Sequence, residues 1–256
     1  MKKSVIFLIS IMWLNAVSAQ LPDADQIMNK SRELTIISSL QATIKLSITE
    51  KNGAVRNRTI SMTSKSFPGG LEKRLIKFLE PADVKGTAML IVDNKTTSDE
   101  IWIFMPALKK TRRISSSESG KSFMSSEFSN ADMGSPSLAD FRSRHLEGSG
   151  ADNTWIIESV PVNEDKADEY GYSRKVSYIS MDKYQIKKMD FYNFDNQHFK
   201  TIEIKSFYTL PEGKYMVSNM IASNLITNRK SEIIFSNIAE KVQVADSWFT
   251  VQNLER

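Results

Sequence analysis

Two consecutive segments of this chain, residues 88–92 and 101–105, are apolar at every position. Each has the length of a strand and is flanked by turn-forming residues, which are Gly86, Asp93-Asn94 and Pro106. Successive side chains of a strand point to opposite faces, so Ile101, Ile103 and Met105 face one way and Trp102 and Phe104 the other. A strand with no polar face must be covered on both sides. The two segments therefore predict a sheet whose two faces both lie under other parts of the chain.

The rest of the chain predicts a mostly β fold of about ten or eleven antiparallel strands. Residues 42–49 and 56–63 alternate apolar and polar side chains around Asn52-Gly53, the dipeptide preferred in tight hairpin turns. Further strands are predicted at 75–79, 88–92, 101–105, 155–160, 172–180, 185–193, 200–208, 214–224 and 231–239. Because short turns connect most of them directly, the pattern indicates a meander and not a parallel α/β fold.

Helices are predicted at two places only. Residues 23–35 follow Pro22 and carry a modest apolar stripe, so they predict a first helix. Residues 130–149 interrupt the β pattern, and Leu138, Phe141 and Leu146 could share an apolar face there. We interpret that stretch as a short helix or part of a lid.

Bulky side chains follow the apolar strands in a segment that is not strand-like. Phe123, Met124, Phe128 and Met133 are spaced among serines, glycines and a lysine. Such a segment is poor at forming a rigid core, so it could close over an apolar cavity as a lid. Flexible methionines suit a surface that fits variable acyl chains, although the same residues could simply fill the core of a curved sheet. The predicted cavity or lid residues are Met89, Trp102, Phe104, Phe123, Met124, Phe128 and Met133.

The densest run of positive charge lies between the 101–105 strand and this lid. It consists of Lys109, Lys110, Arg112 and Arg113. Two interpretations stay open: a solvated strand end or hairpin tip, or a patch at the cavity rim for acidic lipid headgroups or a membrane-protein partner.

The first 19 residues have the order of a cleavable signal peptide. Lys2 and Lys3 precede an apolar run, and Val17-Ser18-Ala19 places small residues before a predicted cut at Gln20. The apolar run is shorter than the ~20 residues of a membrane-spanning helix. Residues 20–256 are then expected to be a single, soluble, exported domain located in the periplasm.

Composition and motifs exclude several classes of function. The chain has 34 basic and 30 acidic residues, and two of the lysines belong to the predicted signal peptide, so the remainder is almost neutral and gives nucleic-acid binding no support. There is no cysteine, hence neither a disulfide nor a lipidation site. His145 and His198 stand apart with no ligand-spaced partner, and no nucleophile elbow or phosphate loop appears. We expect no metal, no cofactor and no enzymatic activity.

Three runs of sequence resemble a known family. They are F-x-x-P-x-D-x-K-G-T from Phe78 to Thr87, W-I-F-x-P-A-L-K-K-x-R-R-I from Trp102 to Ile114, and G-K-S-F-M-x-S-E-F-S-x-x-D-M from Gly120 to Met133. This pattern resembles the LolA-like family, often described as outer-membrane lipoprotein-sorting proteins. The resemblance implies an incomplete antiparallel β-barrel, or half-barrel, with short helices plugging the concave face and an apolar cavity between them. At Ser125 the family pattern has glycine instead.

The resemblance also implies a function without catalysis. We expect a periplasmic carrier that holds a lipid or a lipid-modified protein by its acyl chains and works beside an inner-membrane exporter of the resistance-nodulation-division type. The alternative is an interaction or sensor protein that uses the same fold to bind a partner protein, with its apolar residues as ordinary core.

Overall fold

The computed structural model describes residues 21–94 and 99–255. The predicted signal peptide and its cut at Gln20 lie outside these ranges. Two α-helices are present, α1 (Ala24–Glu33) and α2 (Glu164–Tyr170). The strands are β1 (Ser39–Thr49), β2 (Val55–Phe67), β3 (Leu71–Glu80), β4 (Ala88–Asp93), β5 (Glu100–Met105), β6 (Lys110–Ile114), β7 (Phe141–His145), β8 (Thr154–Pro161), β9 (Arg174–Ser180), β10 (Ile186–Tyr192), β11 (His198–Thr209), β12 (Tyr215–Asn224) and β13 (Arg229–Glu240).

All 13 strands of the described chain form one antiparallel sheet. Its order is β6-β5-β4-β3-β2-β1-β13-β12-β11-β10-β9-β8-β7, so the first and last strands pair at the centre. The outermost strands, β6 and β7, do not pair with each other, and the sheet stays open as a half-barrel. The predicted fold class is confirmed.

Local sequence explains the elements that were predicted. The β1–β2 hairpin closes at Thr49 and Val55 around Gly53, whose φ of 86° is easily adopted only by glycine. Helix α1 begins at Asp23, whose Oδ1 accepts a hydrogen bond from the amide of Asp25 at 2.9 Å. The buried residues of α1 pack on Trp155, Ile157 and Ile179, and the helix thereby plugs one end of the sheet.

Three elements differ from the prediction. Residues 110–114 form a separate edge strand, β6, where a solvated strand end or hairpin tip was one of the two interpretations. Residues 130–149 contain no α-helix but 3₁₀ turns followed by β7, because Phe141, Ser143 and His145 pair along β8. Helix α2 is capped by Asn163, whose side chain accepts from the amide of Lys166, and it lies between the strands predicted at 155–160 and 172–180, where no helix was predicted.

Both faces of β4 and β5 are covered, as predicted. On the inner face, Met89, Ile91, Ile101 and Ile103 belong to the main core. On the outer face, Leu90, Trp102 and Phe104 pack against the C-terminal residues 246–255, which form two 3₁₀ helices carrying Phe249 and Leu254.

One long connection joins the two open edges of the sheet. It runs from Ser115 to Asp140, between β6 and β7, and we call it the crossing segment. Because β6 and β7 are the edges, this segment must pass over the open side of the half-barrel, where its Phe123 and Phe128 enter the main core. Within the described residues, neither helix has the length and apolar character needed to cross a bilayer.

Candidate functional site: a cavity under the crossing segment

Two neighbouring cavities lie between the crossing segment and the inner face of the sheet. The first, of about 250 Å³, is bounded by α1, the crossing segment and strands β9 to β12. The second, of about 270 Å³, is bounded by the crossing segment and strands β1, β2, β3, β12 and β13. The two share the wall residues Thr35, Asp132, Gly134, Ser135, Val217 and Met220. Residues 132–135 of the crossing segment therefore lie where the two cavities meet.

The walls are mainly apolar and rich in methionine. Met28, Met189 and Met220 line the first cavity, and Met62, Met133, Met216 and Met220 line the second. Methionine is unbranched and polarisable, so these walls can adapt to chains of different shape.

Several side chains of the sheet hold the tip of the crossing segment. Arg58 donates to the carbonyl of Met124 at 2.5 Å, and Arg229 donates to the carbonyl of Ser125 at 2.9 Å. Arg229 also forms an ion pair with the buried carboxylate of Glu127 at 2.9 Å. Ser231 accepts from the amide of Glu127 at 2.9 Å. These contacts fix the tip to β2 and β13.

The backbone at this tip is left-handed. Met124 has a φ of 49° and Ser125 a φ of 64°. Glycine adopts this region without a steric cost, which explains why the family pattern has glycine at the second position. Serine adopts the same conformation here, so the departure leaves the turn intact.

The middle of the crossing segment is held by buried charges. Asp132 forms an ion pair with Lys200 of β11 at 2.8 Å and accepts from the amide of Ser129 at 2.7 Å. Arg74 of β3 donates to the side chain of Ser135 at 2.7 Å and also pairs with Asp93. Motion of residues 132–135 would therefore require these polar contacts to break.

Two glycines permit the close approach of the segment to its neighbours. A Cβ at Gly120 would lie 2.7 Å from the backbone carbon of Tyr170 in α2, and a Cβ at Gly134 would lie 2.8 Å from Oδ1 of Asp93. Neither position has room for a side chain. Gly120 of the third motif is thus a contact between the segment and α2.

The predicted cavity residues are distributed over three environments. Phe128 lines the first cavity and Met133 the second. Phe123 is buried against Phe78, with ring centroids 6.0 Å apart, and Met89 and Met124 pack in the same core. The structure places the remaining two, Trp102 and Phe104, on the outer face under residues 246–255, away from both cavities.

The geometry of strand β6 places the two arginines of the basic run on opposite faces of the sheet. In β6, Arg112 lies opposite Ile103 and Arg113 opposite Trp102, so the two arginines point to opposite faces. Arg112 pairs with Glu118 at 2.8 Å and Arg113 with Glu100 at 3.5 Å. Hydrogen bonds from Arg112 lower the pKa of Glu118 to about 2. Of the two exposed lysines, Lys109 ends the turn before the strand and Lys110 is the first residue of β6.

Sequence reasoning missed most of the first cavity. Its wall includes Tyr172, Lys175, Phe191, Ile202 and Tyr215 from strands whose register could not be assigned to an inner or outer face. The alternation within β10 was a usable signal, since Met189 and Phe191 are two residues apart. A lysine within a strand was not a usable signal for a cavity wall, because such a lysine is usually solvent-exposed.

No arrangement for metal binding or nucleophilic catalysis is evident in the described chain. No group of three or more histidine, cysteine, aspartate or glutamate side chains within residues 21–94 and 99–255 could hold a metal ion. His145 contacts Ser149 and the carbonyl of Pro22, whereas His198 contacts Asp190 and Thr201 on another hairpin.

Comparisons with known proteins agree with this architecture. A family model described as "uncharacterized protein" matches residues 70–256. A search of the curated proteins found no match. Among solved structures, a domain from Vibrio parahaemolyticus described as an outer membrane lipoprotein-sorting protein is 24% identical, with a TM-score of 0.83, covering 91% of this chain and 98% of that one.

Two further structures are similar over nearly the same span. A DUF1329 family protein from Desulfovibrio piger is 25% identical, with a TM-score of 0.79, covering 90% of this chain and 97% of that one. A LolA superfamily protein from Nitrosomonas europaea is 18% identical, with a TM-score of 0.69, covering 90% and 98%. Because the family model matches most of this chain, the chain belongs to that family, and the motifs, the open 13-stranded sheet and the similar structures show that its fold is LolA-like.

Proposed function

We propose that this protein is a periplasmic carrier that holds the acyl chains of a lipid or a lipid-modified protein beneath the crossing segment. The observation that carries the proposal is the pair of apolar cavities that share residues 132–135 of that segment. Each cavity alone is slightly smaller than the ~300 Å³ at which ligand pockets usually begin. A small outward movement of residues 132–135 would join them into one elongated site.

Binding and release would then follow from burial of apolar surface. Each methylene of an acyl chain that leaves water contributes about 0.8 kcal/mol. The chain would be released when the crossing segment moves or when an acceptor offers an equally apolar environment. The polar contacts of Asp132 and Arg74 with the sheet would set the cost of that movement.

The end of the half-barrel at which this carrier would meet a membrane is suggested by its hairpin turns. Every second hairpin turn of an antiparallel meander lies at the same end of the sheet. At one end, five hairpins carry large exposed apolar side chains, which are Val55, Leu79, Leu108, Phe194, Leu225 and Ile226. Exposed lysines stand on three of these turns, at Lys51, Lys85, Lys109 and Lys110. Apolar side chains beside lysines favour an anionic lipid surface. Lys109 and Lys110 would contribute more than Arg112 and Arg113, which are already ion-paired.

The cargo can be tested directly. Mass spectrometry of an organic extract from natively purified protein should identify acyl lipid. Val217 lines both cavities, so Val217→Trp should abolish the lipid signal, whereas Val160→Trp, a change at an exposed valine of β8, should keep it. An extract free of acyl lipid, with no binding of added acyl probe, would contradict the carrier and favour the interaction or sensor protein.

Membrane docking and location need separate measurements. Cosedimentation with phosphatidylglycerol vesicles should weaken after Leu108→Ser combined with Lys109→Glu, and hardly change after Arg112→Glu. Equal binding by all variants would remove the hairpin end from the proposal.

N-terminal sequencing of protein from the periplasmic fraction should give a sequence that begins at Gln20. Crosslinking to an inner-membrane exporter would test the proposed partner.

A further inference from the structure

Lys175 is a cation on the wall of the first, mainly apolar cavity. It lies on β9, is half-buried, and lines the first cavity together with Tyr172 and Phe191. Its Nζ lies 4.6 Å from the centre of the Phe141 ring. Within residues 21–94 and 99–255, no carboxylate oxygen lies within 4.0 Å of that nitrogen. Lysine side chains are mostly solvent-exposed, and this one instead lines an apolar cavity.

The nearest charged groups do not neutralise Lys175. The carboxylate of Asp132 is engaged by Lys200, at 2.8 Å. Burial and the charge of Lys200 lower the pKa of Lys175 to about 8, against the attraction of Asp132. Its amine therefore remains largely protonated at neutral pH, and Lys175 and Lys200 both lie near a single carboxylate, that of Asp132.

Such an arrangement favours an anionic ligand atom. The half-buried ammonium of Lys175 has lost part of its hydration, and it is compensated by the Phe141 ring and by the attraction of Asp132, whose carboxylate is shared with Lys200. An anionic oxygen that enters the cavity would meet this cation where water competes little, so the charge-assisted hydrogen bond would be strong. A tail attached to that oxygen would lie against Met189 and Met220 of the same cavity.

We propose that Lys175 anchors the head of the ligand and that the protein therefore selects acyl chains with an anionic head, a carboxylate or a phosphate, over neutral ones. This proposal rests on the acyl-binding function proposed above. It moves the site of headgroup recognition from the basic run of β6, where both arginines are ion-paired, to the interior of the cavity.

The test compares charged and neutral ligands that have the same tail. Displacement of the neutral dye N-phenylnaphthylamine at pH 7 would report the affinity for myristate, tetradecyl phosphate and methyl myristate. Lys175→Met removes the charge at similar length, and Lys175→Arg keeps it. Lys187→Met is the matched control, because Lys187 also lies over an aromatic ring, Phe207 at 4.5 Å, but is exposed on β10.

Lys175→Met should weaken binding of the anionic ligands at least tenfold and leave methyl myristate within twofold of the wild type. Lys175→Arg should retain most of the preference, and Lys187→Met should match the wild type. Whichever of myristate and tetradecyl phosphate binds wild-type protein more tightly identifies the preferred head, a carboxylate or a phosphate. Equal weakening of all three ligands, or of none, would refute the anchor while leaving an acyl carrier standing. If the dye and all three ligands failed to bind wild-type protein, the carrier function itself would fall, and this proposal with it.

Discussion

The ion pair between Asp132 and Lys200 should control how readily the crossing segment opens. Its atoms lie 2.8 Å apart, and the side chains of Asp132 and Lys200 are only 14% and 8% exposed. Replacing Lys200 by methionine would leave a carboxylate without its cation in this setting. Breaking a buried pair costs about 3–5 kcal/mol. We expect the lower limit, about 3 kcal/mol, because the Ser129 amide still donates to Asp132.

The loss of this ion-pair energy should affect local opening of the crossing segment as well as the global free energy of unfolding. If residues 132–135 can detach without unfolding the sheet, about 3 kcal/mol corresponds to an increase of roughly a hundredfold in the population of the open state. Hydrogen exchange followed by mass spectrometry should show faster exchange at the amides of Met133 and Gly134, which donate to carbonyls of the same segment. Faster association of an acyl probe should accompany it.

Lys205→Met is the matched control for this experiment. Lys205 belongs to the same strand, but its pair with Glu203 is exposed, and such pairs contribute at most about 1 kcal/mol. A double-mutant cycle with Asp132→Asn would isolate the coupling between Asp132 and Lys200, which should exceed about 1 kcal/mol. A loss of stability below 1 kcal/mol for Lys200→Met, or unchanged exchange at Met133 and Gly134, would refute the reasoning.

Three further substitutions test other parts of the structure. Ser125→Gly should stabilise the fold by about 0.5–1 kcal/mol and so raise the melting temperature, because glycine adopts the φ of 64° at the segment tip without steric cost. A lower melting temperature would contradict the left-handed conformation at this position. Gly120→Ala should cost at least 2 kcal/mol in denaturant titration, since its Cβ would lie 2.7 Å from the Tyr170 backbone; a neutral effect would contradict that close approach. Burial and Asp93 raise the pKa of Asp99 from 3.8 to about 7, so ionised Asp99 destabilises the fold increasingly as pH rises through this window. Asp99→Asn should therefore stabilise the protein by about 1–2 kcal/mol at pH 8, with the gain shrinking towards pH 4; a gain independent of pH would contradict the shift.

Elements with a strong local pattern could be predicted from the residues. The β1–β2 hairpin was evident because alternation and the Asn52-Gly53 turn agree. The covering of β4 and β5 on both faces followed from the lack of any polar position in their cores. Edge strands β6 and β7 were harder to predict. Strand β6 carries three cations in five residues, and β7 has only polar residues between Phe141 and His145. Their pairing with β5 and β8 stabilises conformations that their own composition does not favour.

The assignment of side chains to the cavity depended on information that the local sequence lacks. Trp102 and Phe104 were grouped with the cavity residues, yet they cover the outer face, because a strand that is apolar on both sides does not indicate which face is concave. Phe123 and Phe128 were predicted as lid residues, and the structure buries both where the crossing segment packs on the main core.

The amino-acid sequence by itself determined that this chain forms an antiparallel meander with two apolar, doubly covered strands and a segment of the LolA-like pattern. Those properties arise from side-chain periodicity and turn residues within a few positions of one another. Only the tertiary structure decided that β6 and β7 are the edges, that the crossing segment must span them, and that Lys175 lines an apolar cavity and forms no ion pair with the residues that the structure describes. The physical reason is that burial and charge pairing depend on contacts between residues far apart in the chain, such as Asp132 with Lys200 and Lys175 with Phe141.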